Sequence, residues 1–329
     1  MTMPKLSIGL PPGPNNLECA KLAQEMGCDR VWLFDSAALY EDIWIWLARI
    51  AEHTDINVGT AVLVPNLRHV MTTASAIATI EDLAPGRLAC GFGTGATARW
   101  VLGKKALSWA TTRRYLEQLR GLLDGEVVEI DGERCQMIHW PGLAPDRPIN
   151  TPILLSAMGP KGIAITKEIC DGIMTVSDEP IDMDWHVRMF NGTVLDDGEA
   201  SDSRRVKDAV GPWVIMPYHG GFAFAPDVVD VLPNGTAWRE SIEAARPEGE
   251  LHLAVHEGHV THVTDRDREL VLDSAWELPM RSGFWIGTRD ELRAQAEHSG
   301  ANGVTELLYT PTGPDVLGEL RRMAETLLG

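Results

Sequence analysis

Short apolar runs alternate with amphipathic stretches along almost the whole chain, a rhythm that parallel strands joined by helical crossovers satisfy. Lys5–Leu10, Arg30–Phe34, Ile56–Leu63 and Arg87–Phe92 read as the first four strands. Asn15–Met26, Asp42–His53 and His69–Leu83 read as the helices between them, with Gly27 as a helix stop and Pro85-Gly86 as a turn. In the second helix Ile43, Trp46, Leu47 and Ile50 recur on one face. Thr112–Leu123 is the next helix, after which the rhythm breaks. Val127–Gln136 alternates around Asp131-Gly132, a hairpin signal, and a polar, proline-rich surface excursion runs on to Pro152. Strand Ile153–Ala157, helix Pro160–Ile169 and strand Gly172–Val176 restore it. A polar stretch, Ser177–Asp208, precedes the predicted seventh strand, Trp213–Tyr218. A long, partly helical segment from Gly220 to Gly283 follows. Thr288 and Glu291 form a capping box, Val304–Tyr309 is the eighth strand, and Asp315–Leu328 the closing helix.

Eight alternating units predict an α/β fold, a (β/α)8 TIM barrel built as one domain over residues 1–329, with insertions after strands 4, 6 and 7 at about 127–151, 177–208 and 220–283. A chain of 329 residues with 44% hydrophobic residues can fill such a core. The net charge of −18 excludes a uniform basic footprint for nucleic acid, so any anionic ligand needs a local site. The five cysteines form no C-x-x-C pair, which argues against a zinc ribbon or a disulfide framework and fits a reducing cytoplasm. Met1–Leu10 does not read as a signal peptide, and no apolar run reaches the roughly 18 residues of a membrane span.

Four segments at predicted strand ends carry candidate chemistry. Gly91-Phe92-Gly93-Thr94-Gly95-Ala96 leaves backbone N–H groups unobstructed, as a phosphate cradle or simply as a tight turn. Ser156-Ala157-Met158-Gly159-Pro160 places a proline in the first turn of a helix, with the N–H groups of Met158 and Gly159 facing outward. Two such loops on consecutive strands could pinch one phosphate. Asp35 follows strand 2, where a carboxylate can meet a ligand or cap a helix. Thr60 and Ala61, small residues near the exit of strand 3, would let a flat ring lie close.

These segments resemble the bacterial luciferase-like superfamily, in its flavin or coenzyme F420-dependent oxidoreductase branch, similar to methylenetetrahydromethanopterin reductase. The matching pieces are Trp32–Asp35, Gly59–Pro65, Asp82–Leu88 leading into Gly91-x-Gly93-Thr94-Gly95, Ala157–Lys161, Gly287–Leu292 and Gly300–Val304. The resemblance implies a phosphate held by Thr94, Gly95, Met158 and Gly159, with Ala157 in the same loop. It also implies a non-prolyl cis peptide at Ala61-Val62 beneath the ring, and Asp35 near the ring. Two departures stand out: His69-Val70 replaces the usual His-Pro, and Ala96 replaces a glutamate that some deazaflavin dehydrogenases carry.

His252, His256, His259 and His262 crowd one stretch. Val260 breaks the H-E-x-x-H pattern and no cysteine lies nearby, so no metal is expected. His256 and His259 are candidate proton donors on a pocket wall, or else satisfied helix histidines. The implied cofactor is coenzyme F420, with flavin mononucleotide (FMN) as the alternative. The expected activity is hydride transfer between the deazaflavin and a small organic substrate. An FMN-dependent monooxygenase using O2 and a non-catalytic flavin-binding protein are the other readings. The expected partner is a small molecule, with neither nucleic acid nor membrane, and the apolar face Ile43–Ile50 suggests a homodimer.

Overall fold

Eight parallel strands close into a barrel in the computed structural model, which describes residues 3–65, 67–278 and 283–329. Its first half runs β1 (Lys5–Leu10), α1 (Asn16–Glu25), β2 (Arg30–Leu33), α2 (Ile43–His53), β3 (Asn57–Leu63), α3 (Val70–Leu83) and β4 (Leu88–Phe92). A short α4 (Ala96–Trp100) and a long α5 (Trp109–Asp124) lead to the antiparallel hairpin β5 (Val128–Ile130) and β6 (Glu133–Cys135). The barrel resumes with β7 (Ile153–Ser156), α6 (Pro160–Ile169), β8 (Gly172–Thr175) and β9 (His186–Phe190), and β10 (Gly192–Val194) follows. A helical excursion comes next: α7 (Arg204–Val214), α8 (Met216–Phe224), α9 (Gly235–Ala245), α10 (Leu251–Val255), α11 (Asp265–Leu270) and α12 (Leu272–Trp276). The chain returns through β11 (Trp285–Gly287), α13 (Arg289–Ala301), β12 (Glu306–Tyr309) and α14 (Val316–Leu328). The barrel order is β1-β12-β9-β8-β7-β4-β3-β2.

Strand alternation divides the core. Trp32, Ala61, Ala89, Leu154, Met174, Val187 and Leu308 fill the barrel interior. Their neighbours along the strands, such as Val31, Leu33, Val58, Cys90 and Leu307, face the helix layer. There they meet Ile43, Trp46, Leu47 and Ile50 of α2, all buried. That stripe is therefore spent on the chain's own core, and only Ile45, 63% exposed, and half-buried Trp44 remain for a partner. The excursion has its own apolar cluster around Val210, Val214, Tyr218, Trp238 and Trp276. Its two ends are joined by parallel pairing of β10 with β11.

Two readings of the sequence are corrected here. The seventh barrel strand is β9, inside the polar stretch Ser177–Asp208, so no insertion of that kind follows the sixth strand. The stretch hid a strand because His186 and Arg188 find partners: His186 Nε2 meets the Thr175 hydroxyl at 2.8 Å, and Arg188 pairs with Asp178 at 2.6 Å. Val187 meanwhile points into the barrel. Trp213–Tyr218, read as a strand, spans the end of α7 and the start of α8. The spacing Val206, Val210, Val214 is helical, and a short apolar run does not by itself separate a buried strand from a buried helix. The long insertion accordingly starts before Gly220, and its residues 279–282 lie outside the described residues.

Candidate functional site

The turn after β4 is shaped by close approach. Gly93 donates its N–H to the Leu63 carbonyl at 3.0 Å, and a Cβ on Gly93 would come within 2.7 Å of Val62. Gly95 has φ of +82°, and a Cβ there would meet Val64 at 2.4 Å. The Ala61-Val62 peptide beside this turn is cis, in agreement with the resemblance, and the β3–β4 register shifts between Thr60 and Leu63. The Thr60 hydroxyl donates to the Gly91 carbonyl at 3.0 Å, so Thr60 secures the sheet and its hydroxyl is committed there.

On the adjacent strand, Ala157 N–H donates to the Met174 carbonyl, which fixes the end of β7. Gly159 is the N-cap of α6 in extended conformation, Pro160 opens the helix, and nothing lies within 4 Å of where a Gly159 Cβ would sit. Among the described residues, the backbone N–H groups of Thr94, Gly95, Met158 and Gly159 have no protein acceptor. Four donors thus converge on the ends of neighbouring strands β4 and β7, and a helix terminus adds positive potential. Met158 and Val176, 51% and 59% exposed, give the rim an apolar surface. A separate depression of about 620 Å3, lined by Lys5, Leu6, Cys28, Asp29, Asn57 and Leu327, lies at the opposite end of the strands, where barrels do not carry their chemistry.

Asp35 is buried and taken up by Arg68, whose Nη1 donates to both carboxylate oxygens at 2.9 and 2.7 Å. Arg68 Nη2 donates to Asp42, the N-cap of α2. Burial pushes the Asp35 carboxyl above the usual carboxylate range, and the Arg68 guanidinium limits the rise. Asp35 therefore ties the exits of β2 and β3 together. Arg68 has no local signal in the sequence, because its partner lies 33 residues away.

The histidines join the excursion to the barrel mouth. His259 Nε2 lies 3.0 Å from the Thr97 hydroxyl of α4, directly after the glycine turn. His259 Nδ1 lies 2.8 Å from Nδ1 of His219 in α8, and the two rings stack. His219 Nε2 lies 3.8 Å from Asp267 Oδ2. Asp267 accepts from Trp238 Nε1 at 2.7 Å and from the Thr264 hydroxyl at 2.6 Å. These bonds and His219 hold its carboxyl below the usual range, although burial opposes them. The Tyr40 hydroxyl, from the loop after β2, donates to the His259 carbonyl. His256 stands edge-on to His259 at 5.0 Å, with Nδ1 on the His252 carbonyl and Nε2 buried without a partner among the described residues. His256 is thus outside the chain of contacts that reaches Thr97. His219, Thr97 and Asp267 were not legible as site residues, since each finds its partner far along the chain.

Burial pushes the His256 imidazole down to about 4. The unfolded chain takes up that proton near pH 6.5 and the folded chain does not, so the folded state is favoured most above pH 6.5. Stability attributable to this group should fall by about 3 kcal/mol as pH drops from 6.5 through 4. His256→Gln should flatten that part of the profile. Urea denaturation of both proteins at several pH values across this window checks it, and parallel curves would refute it.

Comparison with known proteins agrees with this architecture. The family model for luciferase-like monooxygenase matches residues 4–190. The chain is 32% identical over 326 residues to 5,10-methylenetetrahydromethanopterin reductase of Methanolobus tindarius, covering 94% of each protein. Its fold is similar to the coenzyme F420-dependent tetrahydromethanopterin reductase from Methanopyrus kandleri, with a TM-score of 0.67 and 20% identity over 99% of each chain. It is also similar to an F420-dependent secondary alcohol dehydrogenase in complex with an F420-acetone adduct, with a TM-score of 0.64 and 16% identity over 99% of this chain and 98% of that one.

Proposed function

The chain belongs to the luciferase-like monooxygenase family, and from that premise we infer that it is a coenzyme F420-dependent oxidoreductase. It moves a hydride between the deazaflavin and a small organic substrate. The observation that carries this reading is the set of four backbone donors, Thr94, Gly95, Met158 and Gly159, without acceptors among the described residues, on two neighbouring strand ends. Their chemistry suits a phosphate on a negatively charged chain, because they need no side-chain cation. Similarity along 94% of the chain to a methylenetetrahydromethanopterin reductase favours the deazaflavin over FMN.

When bound, the coenzyme supplies the hydride chemistry; the protein supplies position and proton handling. In this reading Thr94, Gly95, Met158 and Gly159 hold the phosphate, with Ala157 fixing the second loop. Thr60, Ala61 and Val62 would supply the wall on the ring's side of the site. Asp35, through Arg68, keeps the strand exits in register beside it. His259 is the proton-handling residue and His256 packs behind it. Cytoplasmic residence is supported by five cysteines that are all free thiols. A homodimer would bury Ile45, the exposed apolar residue of α2.

Titration with coenzyme F420 and with FMN, followed by turnover under air and under nitrogen, tests the reading. Tight binding of F420 and oxygen-independent turnover are expected. Oxygen-dependent turnover with reduced FMN would make the protein a monooxygenase instead.

A further inference from the structure

We propose that Thr97 passes protons between a bound ligand and a buried relay formed by His259, His219 and Asp267, resting on the oxidoreductase reading above. The order of the contacts, ending on the Asp267 carboxylate, favours one direction for each hydrogen bond. Asp267 accepts from Trp238 and Thr264 and faces His219 Nε2 across 3.8 Å, longer than a direct hydrogen bond; a carboxylate on that side favours the His219 tautomer with its proton on Nε2. A neutral His219 then offers a lone pair at Nδ1, which His259 fills with its own Nδ1–H across 2.8 Å. His259 Nε2 is left as an acceptor, and the Thr97 hydroxyl donates to it across 3.0 Å. Thr97 consequently presents only oxygen lone pairs to anything beside the glycine turn. The groups facing this chain are His256 edge-on, Trp238 stacked on His219, and the Tyr40 hydroxyl on the His259 carbonyl.

A ligand O–H or N–H that meets Thr97 can therefore only donate to it. The proton count closes without a further reagent. The ligand's O–H or N–H bond breaks and its proton bonds to Thr97 Oγ1, while the Thr97 proton moves to His259 Nε2. The His259 Nδ1 proton moves to His219 Nδ1, which leaves a His219 imidazolium facing the Asp267 carboxylate. The reverse sequence returns a proton to the ligand. The charged member is stored at the far end of the relay, beside an anion held by Trp238 and Thr264.

Histidine 15N spectra of the ligand-free protein at neutral pH read the tautomers directly. We expect His259 protonated on Nδ1 and His219 on Nε2. Turnover of the F420-loaded enzyme gives the second readout. Thr97→Val, which keeps shape and removes the hydroxyl, should lower kcat by about 100-fold with little change in KM and should alter the pH profile; Thr97→Ser should restore both. His259 protonated on Nε2, or a folded Thr97→Val enzyme with parental turnover and pH profile, would overturn the relay. If the parent turns over with neither coenzyme, the oxidoreductase reading fails separately, and the tautomers alone then decide whether the ordered relay exists.

Discussion

Gly159→Asp should bind coenzyme F420 about 100- to 10,000-fold more weakly than the parent while melting at the same temperature or slightly higher. The two effects have opposite signs because Gly159 has two jobs. As the N-cap of α6 it sits in extended conformation, φ −118° and ψ 163°, which any residue adopts. Its would-be Cβ meets nothing within 4 Å, so aspartate enters without a clash. Aspartate at an N-cap accepts helix N–H groups and complements the helix dipole, which is worth a few tenths of a kcal/mol over glycine. The same carboxylate sets a like charge beside the Met158 and Gly159 N–H groups meant for phosphate and keeps the anion from both. Losing two charge-assisted hydrogen bonds costs about 3–6 kcal/mol, hence the expected weakening. Calorimetric titration beside a thermal melt reads both effects. Gly159→Asn, which caps without charge, should fall between the two proteins. Undiminished binding by the aspartate variant would remove this loop from the cofactor site.

The fold was legible wherever local chemistry and global pairing agreed. Asp131 and Gly132 take positive φ, 52° and 86°, as their hairpin requires, and the Thr288–Glu291 capping box closes on both sides. The glycine turn was readable because backbone geometry demands glycine there, whereas the cis peptide at Ala61-Val62 came from the family resemblance alone. β9 was not readable, because the partners that allow His186 and Arg188 to be buried, Thr175 and Asp178, come from other segments. One signal did speak against a strand at Trp213–Tyr218: Pro217 would have removed a ladder donor from its interior. The site followed the same division. Its candidate backbone donors lie in local loops that the sequence marks, whereas Arg68 and the contacts among Thr97, His219 and Asp267 span 33 to 162 residues and left no periodic trace.

Glu306→Ala should destabilise the protein by about 3–5 kcal/mol and leave cofactor affinity unchanged, because it empties the barrel floor at the end opposite the glycine loops. Glu306 opens β12, is 2% exposed, and accepts from Trp32 Nε1 at 2.7 Å and Trp185 Nε1 at 2.8 Å. Beside it Arg30 is also buried, donates to the Val58 and Arg87 carbonyls, and stacks against both indoles. Burial lowers the Arg30 pKa, and Glu306 is the leading influence against that fall. Alanine would leave two indole N–H groups without their acceptor and the buried Arg30 guanidinium without the opposite charge that acts on it most strongly. Removing one of two opposite buried charges leaves the other uncompensated, which costs far more than replacing both by apolar groups. A double change, Arg30→Met with Glu306→Leu, should therefore recover much of the loss, although the indole N–H groups would still lack acceptors. Guanidinium unfolding of the single and double variants measures this difference, with F420 titration as the check on the distant site. A Glu306→Ala protein within about 1 kcal/mol of the parent would mean that the floor is hydrated and the charge of Arg30 already screened.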